Sequence, residues 1–338
     1  MRRMTVTVAV LALGLTACGG GGGDAGTWSE RMALVPDVAG SGTLTLVDLE
    51  AAGELAGTDP TTFEGAFELL LPDREVGVPL PETLGGNRLG DEGEFAEVNG
   101  YDLTQVDWLV EVASPPLQVA VAGGRFVTDA LDAANEPSGD GTWNTDLDPS
   151  ATDLEAAAPG RPIGRTPHLR LDDDRLTVVA GTTLDALDDG VRAHPLADHQ
   201  AVASVAAALD ALDAFGAVVV FTGTVEGAGD GGGFGDAAVL ADLPIRAVGV
   251  AFVPDERRFA VLHGFGDEEA AADGANAIER LLAEELDPVT GAPYTDRYGD
   301  VEVEVVASAS VARLDVPEDT PWGMPLNDLL RGAFGHPG

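Results

Sequence analysis

The chain holds a single thiol. Cys18 stands between an uncharged run, Thr5–Ala17, and five glycines, Gly19–Gly23. A thiolate is a strong nucleophile, able to form a thioether with an activated carbon. With no second cysteine it cannot close a disulfide within the chain, so its partner is another molecule or an added group. The other chemistry-bearing residues are spaced less usefully. Of the five histidines (His168, His194, His199, His263 and His336), His194 and His199 flank Pro195 and do not share a helix face. No spare cysteine stands near them, so a zinc site is not expected and the histidines read as surface or edge residues. Gly227, Gly229 and Gly232 follow a strand-like run, as in a dinucleotide fingerprint. The helix whose N-terminus would hold the pyrophosphate does not follow, so the stretch reads as a loop. Gly40–Ser41–Gly42 is too tight for a nucleophile elbow and reads as a turn. Close carboxylates such as Asp172–Asp174 and Asp188–Asp189 are expected among 58 acidic residues. They read as a solvated acidic face rather than a general acid–base pair. No catalytic residue, cofactor or metal ligand is expected, although carboxylate clusters outside a cell can bind divalent cations weakly.

The elements around Cys18 give its chemistry a setting. Arg2 and Arg3 precede the thirteen uncharged residues Thr5–Ala17, the pattern of a secretory signal. As a helix that run spans about 20 Å, short of the ~30 Å hydrocarbon core. Leu15, Thr16, Ala17 and Cys18 resemble the lipobox of bacterial lipoproteins. The resemblance implies cleavage between Ala17 and Cys18, a diacylglycerol on the Cys18 sulfur, and a mature protein held to the outer side of a cell membrane. The alternative is an ordinary cleaved signal with an incidental cysteine. Sec and twin-arginine export both stay open. Gly19–Gly26 is a flexible spacer reaching about 15 Å.

Composition narrows the partners. The chain has 58 acidic residues against 18 basic ones, all arginine, and a formal charge of −40. Loss of Arg2 and Arg3 takes −40 to −42. Nucleic acid and anionic lipid headgroups are disfavoured, because no basic patch exists to displace counterions. The adjacent pair Arg257–Arg258 belongs to a hairpin. The acidity fits either a saline habitat or weak cation binding. Apolar residues make up 45% of the chain, so a packed core is expected.

The body reads as an α+β fold with mainly antiparallel sheet, built from repeated strand–strand–helix units with helices on one face. The units begin at Val106, His168 and Ile245. In the second, "HLRL" and "RLTVVAG" pair across Asp172–Asp174. A helix from about Asp267 to Leu286 closes the third, and Asp198 is placed to cap a helix running to Leu212. Thr43–Leu49 and the run from Val301 bracket the set as strands. Trp108 alternates with apolar neighbours and reads as core, Trp28 and Trp322 as candidates for exposure. The divisions are a signal peptide at 1–17, lipidated cysteine and spacer at 18–30, and an N-terminal half at 31–150. A linker or long loop follows at 151–167, then a C-terminal half at 168–316 and a tail with a short helix at 317–338. The two halves are candidates for relatives of one another.

"LVPDVAGSGTLTLVDL", "AVAGGRF" and "HPLADHQAVASVAAAL" together resemble membrane-anchored surface proteins of actinobacteria. That likeness implies a fold more than an activity. The function expected is a non-catalytic, lipid-anchored extracytoplasmic protein with a binding or envelope-structural role. A solute- or cation-binding lipoprotein and an envelope hydrolase with a dispersed carboxylate site are the alternatives.

Overall fold

The computed structural model describes residues 26–38, 41–70, 76–79, 81–84, 93–161, 164–222, 240, 243–254, 258–286, 291–299, 301–315, 323–330 and 334. In chain order the first elements are α1 (Trp28–Met32), β1 (Ser41–Asp48), α2 (Leu49–Ala56), α3 (Phe63–Leu69) and α4 (Glu94–Asn99). The hairpin β2 (Val106–Ser114) and β3 (Leu117–Gly124) leads to α5 (Thr128–Ala134), and two short strands follow, β4 (Pro137–Gly139) and β5 (Thr142–Trp143). Next come β6 (His168–Asp172), β7 (Arg175–Ala180), α6 (Leu184–Ala193), α7 (Gln200–Ala211) and β8 (Gly216–Thr222). The chain continues through β9 (Ala247–Phe252), β10 (Arg258–Gly264), α8 (Glu268–Glu284) and α9 (Tyr294–Tyr298). It closes with β11 (Val301–Val306), β12 (Ala309–Asp315) and α10 (Met324–Leu330).

Among the described residues, twelve strands join one sheet in the order β11-β12-β10-β9-β8-β1-β2-β3-β7-β6-β5-β4. Every pairing is antiparallel. β1–β2–β3 is a meander, and the β6–β7 hairpin returns so that β7 lies on β3. β8–β9–β10 is a second meander, and the β11–β12 hairpin returns so that β12 lies on β10. The sheet is continuous at its centre, where β1 pairs with β8 from Ser41–Thr222 to Val47–Gly216. Its free edges are guarded: β4 opens on Pro137, and β11 carries Glu302 and Glu304, both poor templates for a further strand.

Helices lie on both faces, not one. Successive strand residues alternate between two cores: Leu109 belongs to one, Val110 to the other, and Val261 and Leu262 divide the same way. The first core takes in Ala271, Ile278, Leu281 and Leu282 of α8, together with residues of α2, α3, α4 and α5. The second takes Trp28 and Met32 of α1, Leu184 and Leu187 of α6, and Val202, Val205 and Leu209 of α7. A sheet with alternating apolar residues on both sides must be covered on both sides.

Local signals account for many element boundaries. Leu169 pairs with Val178 and Asp172 with Arg175, as the hairpin reading expected, and Asp173 takes the turn at φ 54°. Asp267 caps α8 by accepting from the Ala270 N–H at 2.8 Å. The cap of α7 is His199, whose Nδ1 accepts from the Val202 N–H at 3.3 Å. Asp198 instead ends a single 3-10 turn, Leu196–Asp198. The run from Val301 is two strands, since Ala307 at φ 52° reverses the chain before β12. Segment 151–167 is a long loop tied to the body: Arg161 donates to Val98 O at 2.7 Å and to Asn135 Oδ1 at 2.9 Å.

Candidate functional site

The first core is roofed unevenly. Near the Pro115–Pro116 turn of the β2–β3 hairpin, a peptide in the cis form, the sheet is covered by loops and one 3-10 turn, Glu82–Leu84. These enclose a cavity of about 500 Å³, within the range of small-molecule sites. Ala113, Gln118, Val178 and Ala180 form its floor; Thr83, Tyr101, Gly160, Arg165 and Pro167 form its walls. The floor residues share a face because they sit opposite one another, Ala113 with Gln118 and Gln118 with Ala180. Gly160 has φ +74°, and a Cβ there would lie 2.7 Å from the Phe95 ring and 2.9 Å from Asn99 Nδ2. Only glycine lets the loop approach so closely.

A polar network stiffens one wall. Glu111 points from the middle of β2 into the first core and is 2% exposed. Its Oε1 accepts from the Glu82 N–H at 3.0 Å, and its Oε2 accepts from the Thr83 N–H at 2.7 Å, the Thr83 hydroxyl and, at 3.4 Å, Gln118 Nε2. Burial pushes the Glu111 carboxyl above its usual range, opposed by the hydrogen bonds from Thr83 and Glu82. Tyr101 donates from its hydroxyl to Thr83 O at 3.2 Å, and burial raises its pKa. Its ring meets Phe95 edge-on at 5.5 Å between centroids. Tyr101, Thr83, Glu111 and Gln118 therefore form one chain of contacts from loop to sheet.

Arg165 lines the cavity and Arg161 lies four residues before it, and neither has a carboxylate partner among the described residues. Arg161 donates to neutral acceptors only, Asn99 Oδ1 at 3.2 Å, Val98 O and Asn135 Oδ1, and burial lowers its pKa. Arg165, half-buried, donates from Nη1 to Pro116 O at 3.0 Å, while its Nε is buried with no hydrogen-bond partner among the described residues. Among the described residues no carboxylate lies within ion-pair distance of either.

A second cavity of about 310 Å³ opens on the other face, between β7 and α6. It is crossed by Arg170, which holds Asp188 through two hydrogen bonds of 2.8 and 2.9 Å. That pair serves to join α6 to β6.

The residues singled out in the sequence lie elsewhere. Ala17, Cys18, Gly227, Gly229, Gly232, His336, Trp322 and Arg257 fall outside the described residues. His168, His199 and His263 are buried rather than on the surface. Each satisfies a carbonyl: Nε2 to Leu147 O at 3.0 Å, Thr222 O at 2.7 Å and Phe334 O at 2.7 Å, respectively. Desolvation holds His263 down to about 4. Trp28 is buried, not exposed, its indole donating to Ala214 O at 2.8 Å; Trp108 is buried as expected. Asp172, Asp173 and Asp174 are exposed. Among the described residues no three His, Cys, Asp or Glu side chains group to hold a metal. The cavity residues are far apart in sequence, from Glu82 to Ala180, so no local pattern joins them. The one local signal was Glu111, a carboxylate in the apolar run "WLVEVA" at a position in phase with the core residue Leu109.

No protein-family model matches the chain, and no curated protein matches it. Among solved structures it is similar to TP0453 in crystal form I, with 6% identity and a TM-score of 0.40 over 91% of this chain and 98% of that one. Crystal form III of TP0453 gives 8% identity and a TM-score of 0.31 over 83% and 91%. No helix among the described residues is long and apolar enough to cross a membrane.

Proposed function

We propose that this is a lipid-anchored, extracytoplasmic binding protein that holds a small ligand in the cavity over β2, β3 and β7. The cavity carries the reading: about 500 Å³ of space bounded by Ala113, Val178, Ala180 and Pro167, beside a stiff polar wall. Binding suits this site better than hydrolysis, because Glu111 is engaged by donors on both oxygens and stands behind the wall rather than lining the cavity. The anchor rests on Leu15–Cys18, and Gly19–Gly26 joins it to α1. Native mass spectrometry of the full chain, taken from membranes without organic extraction, tests the binding function. An added non-covalent mass is expected, and Ala113→Phe should lose it. A wild-type protein with no such mass overturns the binding role. Labelled palmitate tests the anchor: Cys18→Ser should take up none, and undiminished uptake overturns lipidation.

We infer also that the two five-strand sets are related halves. The strand orders β1-β2-β3-β7-β6 and β8-β9-β10-β12-β11 match, and a helix, α5 or α8, follows the third strand of each, although the first set carries α2–α4 after β1 and the short strands β4 and β5 before β6. The preceding helices α1 and α7 both pack in the second core. A superposition of the sets that left their strands out of step would overturn this.

A further inference from the structure

We propose that the ligand is a single-chain acidic amphiphile, its apolar body on Ala113, Val178 and Ala180 and its carboxylate or phosphate head on Arg165. This rests on the binding function just proposed and adds the chemistry of the head. Three observations support it. The floor of the cavity is apolar apart from Gln118, which already reaches towards Glu111. Arg165 stands at the wall with Nη1 on Pro116 O and a buried Nε that has no acceptor among the described residues, a costly arrangement for a charged donor. Arg161, from the same loop, is turned to the neutral acceptors Asn99 Oδ1, Val98 O and Asn135 Oδ1 and does not line the cavity, which leaves Arg165 as the cation of its wall among the described residues. In a chain of net charge −40, carboxylates are abundant, yet none is placed on either arginine among the described residues. The one acidic side chain on the cavity wall, Glu82, is exposed and can turn to water, whereas Arg165 is held. A guanidinium fork matches carboxylate and phosphate oxygens equally, so geometry assigns the acid and not which acid.

The test is calorimetric titration of the full chain carrying Cys18→Ser, so that no acyl anchor competes, with dodecanoate, monododecyl phosphate, dodecanol and dodecylamine. Salt near ~0.5 M screens long-range repulsion of the anions. At least one acid should bind tighter than dodecanol by about tenfold or more, the worth of a charge-assisted hydrogen bond, and the tighter acid names the head. Arg165→Gln should abolish that preference, so that neither acid binds tighter than dodecanol; Arg165→Lys should keep part of it. Equal binding of dodecanol and the acids, or a preference for the amine, overturns the acidic head and leaves the binding cavity standing. No binding of any of the four overturns the amphiphile, while the binding role itself falls only if the native protein also carries no added mass. Thermal melts of each variant show that the fold is retained.

Discussion

Thr83 meets Glu111 twice, once through its backbone N–H at 2.7 Å and once through its hydroxyl, so that one residue of a 3-10 turn fastens the loop to the centre of β2. The carboxyl is 2% exposed, and the loss of one donor leaves a buried acceptor short. Thr83→Val keeps the shape and removes the hydroxyl. It should cost about 1–3 kcal/mol in urea unfolding. A variant as stable as the parent would show that the hydroxyl bond is matched by water.

His263 is buried and neutral against Phe334 O, with a pKa lowered from 6.5 to about 4. Its unfolded form binds protons first, so the stability it contributes is complete above pH ~6.5 and is lost as pH falls towards 4. The loss approaches about 3 kcal/mol. Glu111 acts with the opposite sign, since a raised carboxyl pKa gives stability at low pH that is lost as pH rises through the folded value. Urea melts of wild type and His263→Gln between pH 7 and 4 separate the two. The wild type should lose more stability on acidification than the variant; parallel curves would contradict the burial of a neutral imidazole.

Arg31 fixes the start of the body to the sheet. Its guanidinium lies 4.5 Å from the Trp28 ring centroid and 4.8 Å from that of Trp108, and its Nη2 meets Asp48 Oδ2 at 2.9 Å. Arg31→Ala removes two cation–π contacts and strands a largely buried carboxylate, a loss of about 3–5 kcal/mol. Chemical denaturation measures it, and tryptophan emission should shift red as Trp28 loosens. A loss below about 1 kcal/mol would mean that the pair behaves as a surface ion pair.

Screening should stabilise the body. The outer face of α8 alone exposes Glu268, Glu269, Asp273, Glu279 and Glu284. Repulsion of this kind, summed over a net charge of −40, bears on a total stability of only ~5–15 kcal/mol. Raising NaCl from about 0.1 to 1 M shortens the screening length from ~10 to ~3 Å, and the melting temperature should climb clearly. Melting points that agree within error would remove surface repulsion as a limit on stability.

Period and capping chemistry determined much of the architecture from sequence alone. The alternation in His168–Ala180 set a hairpin turning within Asp172–Asp174, and the helix expected from about Asp267 starts at the cap that Asp267 makes, because such signals act over a few residues; the cap expected at Asp198 is made by His199 instead. The class, helix with antiparallel sheet, followed from these. What only the tertiary structure decided depends on residues far apart in sequence. Both faces of the sheet needed cover, which put α7 and α8 on opposite sides although their apolar stripes look alike. The short helices α2, α3 and α4 carry too few turns to be read from periodicity, and they owe their place to packing. Trp28 looked like the end of a spacer and is buried because Trp108 and Ala214, brought from other parts of the fold, join Arg31 of its own helix around it. The cavity is of the same kind. Glu82, Tyr101, Glu111, Arg165 and Val178 come from five separate stretches, and no local pattern records that the sheet aligns them.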